Sequence, residues 1–210
     1  MPDLGPYLAF ALVSLGMALT PGPNMVYLIS RSIAQGRTAG LISLGGILAG
    51  HIVYMVCAAL GLTALLIAIP YAYDALRLAG AIYLLTLAWQ AVRPNGQSPF
   101  QVRDLPLASP RKLFAMGLLT NLLNPKIAVL YLSLLPQFVD PEKGSVLAQA
   151  LIFCSTQLVV SVAMNAVFII SAATVAGVFT RRPLWGVIQR WLMGTVLAGL
   201  AIRLASEAHR

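Results

Sequence analysis

The sequence predicts an all-α polytopic membrane protein, with six transmembrane helices arranged as two inverted halves of three helices each. Hydrophobic residues make up 59% of the 210 residues and charged residues only 10%, unlike ordinary soluble domains. About six apolar runs reach the roughly 17 to 25 residues that are needed to cross a bilayer. Two of these runs, the first and the fourth, are interrupted by proline near their middles.

The six predicted spans are the apolar runs at residues 4–30, 39–68, 71–92, 113–135, 146–178 and 184–205. We expect the first run to stay in the mature chain, because no basic residue precedes it and prolines interrupt it. The proline-rich polar stretch 93–112 divides the single membrane domain 1–210 into the halves 1–92 and 113–210. Since each half has an odd number of spans, the second half enters the membrane from the opposite side, and any internal repeat is inverted.

The formal charge of +8 is explained by membrane topology rather than by nucleic-acid binding. Nine of the fourteen Lys and Arg residues lie in alternate connections: Arg31, Arg37, Arg93, Arg103, Arg111, Lys112, Arg181, Arg182 and Arg190. Such connections are expected to be cytoplasmic, so that 93–112 is a cytoplasmic loop. Both termini should then lie outside, in the periplasm or extracellular space.

The two interrupted spans carry the motifs Thr20-Pro21-Gly22-Pro23-Asn24 and Asn121-Leu122-Leu123-Asn124-Pro125-Lys126. Proline has no backbone N–H and displaces the carbonyl one turn earlier, so each helix must open there. Open backbone at membrane depth is tolerated only against protein or around a polar cavity. Paired breaks in matching segments of two halves predict a transporter with its binding site at the bilayer midplane.

Lys126 is the residue with the highest predicted insertion cost, because an ammonium group near mid-span costs roughly 2.5 to 3.5 kcal/mol. All six Asp and Glu residues lie in loops, tails or span edges, so the predicted site is net cationic. A substrate carboxylate would complement it, with help from a helix N-terminus. Freed carbonyls and the Asn24 and Asn124 side chains could receive an ammonium group, and a zwitterion fits both sets.

Three polar faces accompany the breaks at helical spacing. Their members are Asn121, Asn124, Ala128 and Tyr131 in the fourth span, Gln157, Ser161 and Asn165 in the fifth, and Ser43, Gly46, Gly50 and Tyr54 in the second. Any single face could equally pack helices together, since amides and hydroxyls link helices and Gly-Xaa-Xaa-Xaa-Gly allows close approach. Together with the breaks, they favour a shared polar pathway.

The candidate substrate-binding residues are Pro21, Pro23, Asn24, Asn121, Asn124, Pro125, Lys126, Gln157 and Asn165. His51 is a candidate proton relay, because imidazole titrates near neutral pH, although a buried histidine is more often a packing residue. Cys57 and Cys154 indicate neither a disulfide nor a metal pair. The expected partners are a small-molecule substrate and membrane lipid, with no cofactor, metal or nucleic acid, and the sequence leaves a homo-oligomer open.

At these motifs the chain resembles the LysE/RhtB family of amino-acid exporters over nearly its whole length. The matching residues, beyond the two break motifs, are Gly36, Gly40, Gly45, Gly46, Gly50, Gly61, Gly80, Tyr83, Leu84, Phe114, Gly117 and the run Leu135-Pro136-Gln137-Phe138. The resemblance implies six helices, a bacterial inner-membrane location and proton-driven efflux of amino acids or their derivatives. The chain departs from several relatives at His51, where they carry small or acidic residues.

Other functional classes are less well supported. An intramembrane enzyme would need a catalytic constellation, and the chain has no HExxH or GxSxG motif and only two histidines, His51 and His209. An exporter of cations or other small metabolites is the alternative transporter class, but a cation site would want carboxylates within the spans, where Lys126 lies instead. A purely structural membrane protein would not need two broken helices.

Overall fold

The structure is a computed structural model that describes residues 3–20, 22–68, 105–181 and 183–206, together with scattered positions between 78 and 93. The described residues form helices and connections without strands. The α-helices are α1 (Leu4–Leu19), α2 (Pro23–Gln35), α3 (Arg37–Ala68), α4 (Pro110–Leu122), α5 (Pro125–Val129), α6 (Val146–Arg181) and α7 (Pro183–Ser206). A π-helical turn (Leu130–Leu134) and two 3₁₀ turns (Leu135–Phe138 and Pro141–Lys143) follow α5.

Two helices are long and apolar enough to cross a membrane as single rods, over Arg37–Gly61 in α3 and Val146–Ala172 in α6. Two bent pairs also qualify, so the described residues contain up to four spans. The α1–α2 pair bends by 49° and the pair Pro110–Leu122 and Lys126–Phe138 by 50°, which confirms the predicted breaks in the first and fourth spans. The predicted sixth span is helical as α7, whereas most of the third lies outside the described residues. The count of six therefore stays a prediction.

Two boundaries differ from those predicted, each for a local reason. Helix α2 continues past Ser30 to Gln35 and ends at Gly36, whose φ of 86° turns the chain directly into α3. Arg31 is therefore a buried helical residue rather than part of a loop, and its Nη1 donates to the Pro106 carbonyl over 2.8 Å. Helix α4 begins inside the predicted loop, because Pro110 occupies a first-turn position and Ser109 caps the helix.

Helices α3 and α4 cross in close contact because glycines line their interface. A Cβ atom on Gly46 of α3 would collide with the carbonyl of Phe114, and one on Gly117 of α4 would collide with the carbonyl of Ser43. Small residues of this kind let two helix backbones approach within the membrane. The Gly46-Xaa-Xaa-Xaa-Gly50 pattern thus has a packing function, and it fixes α4 and the break that follows it against α3.

A second contact joins α1 to the chain around the start of α6. Phe10 of α1 packs on Phe138 and Phe153, with ring centroids 5.1 and 4.9 Å away. At the surface the Lys143 ammonium donates to the Asp3 carboxylate over 2.7 Å. This hydrogen bond lowers the pKa of Asp3 below its ordinary value and raises that of Lys143.

A matched pair of substitutions tests the α3–α4 contact. Gly46→Ala should destabilise the protein by about 1 to 3 kcal/mol, because the new methyl group meets backbone that has no room to move. Gly45→Ala adds the same methyl one residue away, where the nearest atom is a Phe114 ring carbon at 3.7 Å, so helix propensity should leave it neutral or slightly stabilising. Thermal unfolding in detergent measures both, and equal midpoints for the two variants would contradict the described interface.

Candidate functional site

The two helix breaks meet at a single hydrogen bond between Lys126 and Thr20. The Lys126 ammonium Nζ donates to the Thr20 carbonyl over 2.6 Å, and Lys126 is only 6% exposed. Thr20 ends α1 in an extended conformation, with its N–H donating to the Gly16 and Met17 carbonyls. Its own carbonyl has no helical donor, and the ammonium supplies one at the negative end of the α1 dipole.

The second break leaves a carbonyl at Leu122 that is also satisfied from within the protein. Asn124 caps α5, because its Oδ1 accepts the N–H of Lys126 over 3.1 Å. That N–H would reach the Leu122 carbonyl in a continuous helix, and the Tyr54 hydroxyl of α3 donates to it instead over 2.9 Å. The Thr20 and Leu122 carbonyls and Asn124 Oδ1, which were expected to serve a substrate ammonium, thus each have a protein donor in this structure.

Beside the Lys126–Thr20 bond lies a small, partly open cavity of about 20 Å³. A water molecule needs about 10 to 15 Å³, so a cavity of this volume has room for about one water molecule but not for an amino acid. Its polar wall consists of Thr20, Asn24, Asn124, Lys126, Gln157, Ser161 and Asn165. Its apolar wall includes Met17, Met25 and Ile127. Helices from both halves of the chain therefore contribute to it.

The cavity combines one buried cation with two acceptors that have no donor. Asn24 Oδ1 and Gln157 Oε1 are buried without a hydrogen-bond partner among the described residues. Buried polar atoms in native proteins are normally paired, so these two oxygens are suited to a donor that enters the cavity. The acidic residues in the described part of the chain are Asp3, Asp140 and Glu142, and none lines this wall.

His51 does not line the cavity itself, but it contacts a residue that does. Its side chain is fully buried, and Nε2 is 3.0 Å from the hydroxyl of Ser161, which lines the cavity. Nδ1 is 3.5 Å from the hydroxyl of Tyr131, whose ring stacks on Tyr54 with centroids 5.5 Å apart. Asn165 Nδ2 donates to the Ser161 carbonyl over 2.8 Å. A connected polar network thus runs from the cavity into the contact of α3 and α6.

The remaining candidate residues are placed differently. Pro23 is exposed at the first turn of α2 and does not line the cavity, and Pro21 lies outside the described residues. Pro125 begins α5, so its effect is on the backbone. Asn121 is buried but faces α3, where a Cβ on Gly50 would come within 2.7 Å of its Oδ1. Asn121 and Pro23 were predicted to bind substrate, and the described cavity wall includes neither.

Several wall residues were not in the predicted set. Thr20 belongs to the first break motif and Ser161 to the polar face of the fifth span. Thr20 contacts Lys126 and Ser161 contacts His51, but each pair is about one hundred residues apart in the sequence, so the sequence alone does not show these contacts. Met17, Met25 and Ile127 carry no signal of their own in an apolar span, because only the fold shows which apolar side chains face a cavity.

Broken spans, apolar single-rod spans and a cavity lined by polar side chains together define a multi-pass membrane protein of the transporter class. The chain belongs to the LysE type translocator family, whose model matches residues 15–208. This finding supports a transporter rather than an enzyme.

Relatives match along almost the whole chain. A leucine efflux protein of Klebsiella pneumoniae is 28% identical over 95% of this chain and 94% of its own length. A leucine efflux protein of Salmonella choleraesuis is 25% identical with the same coverage. An uncharacterized membrane protein of Pseudomonas aeruginosa is 28% identical over 98% of both chains. No solved structure matches the chain.

Removal of one hydroxyl group tests whether the hydrogen bond to the Leu122 carbonyl stabilises the second break. Tyr54→Phe should destabilise the protein by about 1 to 3 kcal/mol, because the Leu122 carbonyl loses the donor described for it. Tyr7→Phe is the control, since Tyr7 packs against the main apolar core and none of the hydrogen bonds described here uses its hydroxyl. The two thermal midpoints in detergent give the comparison. A Tyr54→Phe protein as stable as the control would show that this hydroxyl does not support the break.

Proposed function

We propose that the protein is a secondary active exporter of amino acids or their derivatives across the bacterial inner membrane. The observation that carries the proposal is the buried Lys126 ammonium at the junction of two broken helices, in a cavity with two acceptors that have no donor among the described residues. The Klebsiella and Salmonella relatives, which are named leucine efflux proteins, support the same substrate class.

A zwitterion fits the charges and hydrogen-bonding atoms of this cavity. Its carboxylate would take the place of the Thr20 carbonyl on Lys126, where a charged acceptor makes the stronger bond. The first N–H groups of α2, at the positive end of that helix, favour the same anion. The ammonium would donate to Asn24 Oδ1 and Gln157 Oε1, which supplies the partners that these oxygens lack.

The side chain of the substrate would then lie along Met17, Met25 and Ile127. These residues suit a neutral apolar side chain, and flexible methionines adapt to several shapes. A cationic side chain would find no carboxylate among the described wall residues and would be repelled by Lys126. The same charge disfavours the alternative function, export of inorganic cations.

Transport would proceed by alternating access, with exchange of the amino acid for protons. The cavity is too small for an amino acid and must widen to admit one, so binding requires motion of its walls. Nearly equal bends of 49° and 50° at matching places support two inverted halves, 1–92 and 113–210, of which one rocks against the other. In the proposed orientation both termini lie outside and the 93–112 connection lies in the cytoplasm.

The first test removes the ammonium group. Lys126→Met should lower transport of leucine by about 10- to 100-fold, because the substrate carboxylate loses a charged hydrogen-bond donor. Lys126→Arg keeps the positive charge and should retain part of the activity. Uptake into everted vesicles measures transport, while membrane content and the gel-filtration profile show that each variant is folded. Leucine uptake at the wild-type rate by Lys126→Met would remove Lys126 from the mechanism.

The second test separates the two ends of the zwitterion. Wild-type protein should bind leucine more tightly than 4-methylpentanoate, which lacks the ammonium group, or 3-methylbutylamine, which lacks the carboxylate. Gln157→Leu should weaken the binding of leucine by about tenfold and leave the binding of 4-methylpentanoate unchanged, because only the leucine ammonium loses an acceptor. Competition against labelled leucine gives these affinities. Equal weakening of leucine and 4-methylpentanoate would show that Gln157 does not hold the ammonium.

A further inference from the structure

We propose that His51 carries the coupling proton and that this proton reaches it from the cavity through the hydroxyl group of Ser161. The inference rests on the proposed efflux function and identifies the residue that links it to the proton gradient. It would make the α3–α6 contact the second functional centre of the molecule, beside the Lys126–Thr20 junction.

The position of His51 separates it from the substrate but not from the cavity. Its side chain is 0% exposed, and its nearest polar partner is Ser161 Oγ, 3.0 Å from Nε2. Ser161 lies in the cavity wall and is the polar wall residue for which a hydrogen bond to His51 is described. A proton that leaves cavity water for the imidazole would therefore pass through this hydroxyl.

The groups that surround His51 leave imidazole as the proton carrier. Tyr54 lies on α3 itself, Tyr131 faces Nδ1 from the π-helical turn, and Cys154 of α6 packs in the same core as Tyr131. Lys126 lies in the cavity wall that Ser161 shares. No carboxylate belongs to this set among the described residues. His51 is the member of this set that is hydrogen-bonded to Ser161, and each ring nitrogen of an imidazole can hold or release a proton.

The proposed proton transfer leaves Ser161 chemically unchanged. In the neutral tautomer with hydrogen on Nδ1, directed at the Tyr131 hydroxyl, the Nε2 lone pair accepts from Ser161. A hydronium ion in the cavity gives its extra proton to Ser161 Oγ and becomes water, as the hydroxyl hydrogen of Ser161 passes to Nε2. The hydroxyl group is unchanged, the imidazole becomes a cation, and the reverse transfer returns the proton to the cavity.

The same geometry would make protons and amino acids exclude each other. Gln157 precedes Ser161 by one helical turn on α6, so its free Oε1 and the His51 network lie on the same side of that helix. An imidazolium behind Ser161 would repel a substrate ammonium bound at Gln157. Binding of the amino acid would therefore expel the proton, and protonation would expel the amino acid, which is the condition for antiport.

The experiment uses the purified full-length protein in proteoliposomes with leucine as the probe. Exchange of labelled leucine at equal pH on both sides reports transport without a net proton flow, and accumulation under an imposed pH gradient reports coupling. His51→Gln keeps a polar side chain facing Ser161 but cannot be protonated. It should exchange leucine within about threefold of wild type, accumulate at least about tenfold less, and release no protons when leucine binds.

Ser161→Ala provides an independent variant, because it leaves the imidazole in place and removes its link to the cavity. Proton release on leucine binding should be lost in this variant as well. Ser171→Ala is the matched control, because the Ser171 hydroxyl donates to the Val167 carbonyl one turn earlier in the same helix. This variant should behave as the wild type.

The possible results discriminate between this proposal and the function on which it rests. Wild-type accumulation by His51→Gln, or wild-type proton release by folded Ser161→Ala, overturns the assignment of His51. If His51→Gln does not fold, the Ser161→Ala result decides. Absence of leucine exchange by the wild-type protein would instead count against leucine transport itself. If the wild-type protein exchanges leucine but does not accumulate it under any pH gradient, the proton-coupled scheme and this proposal are both wrong. Amino-acid transport would still stand.

Discussion

The structure depends on one constraint, which is that backbone opened at membrane depth must find its hydrogen-bond partners inside the protein. The Thr20 carbonyl receives the Lys126 ammonium, and the Leu122 carbonyl receives the Tyr54 hydroxyl. Each partner comes from another helix, so the two breaks cannot form independently of the packing around them. The bent spans are therefore stable only as parts of the assembled bundle.

This constraint also explains how the cavity acquires its charge. Lys126 satisfies the end of α1 and lies against water-sized space, with no described acid beside it. A buried cation of this kind is costly unless something compensates it. The Thr20 carbonyl compensates it in the closed state, and in our proposal the substrate carboxylate does so during transport. Binding would then release α1 from Lys126, which connects occupancy of the site to the motion that opens it.

The sequence predicted the breaks and the burial of Lys126, and the structure places some of the other candidate residues away from the cavity. Asn121 and Asn124 were placed on one face by counting along a continuous helix. The chain leaves the helix at Leu123 and restarts at Pro125, so the helical phase is reset, and Asn121 faces Gly50 while Asn124 lines the cavity. Pro23 was chosen for its effect on the backbone, and its side chain is exposed because it lies in the first turn of α2.

The sequence by itself determined that this chain crosses a membrane, where the first and fourth spans break, and that Lys126 must be enclosed. These properties follow from apolar length, from the missing N–H of proline and from the cost of a charge in lipid. Only the tertiary structure decided which carbonyl each donor reaches and which stripe of α6 meets His51. The contacts of Lys126 with Thr20 and of His51 with Ser161 join residues about one hundred positions apart, and local spacing carries no information on such pairs.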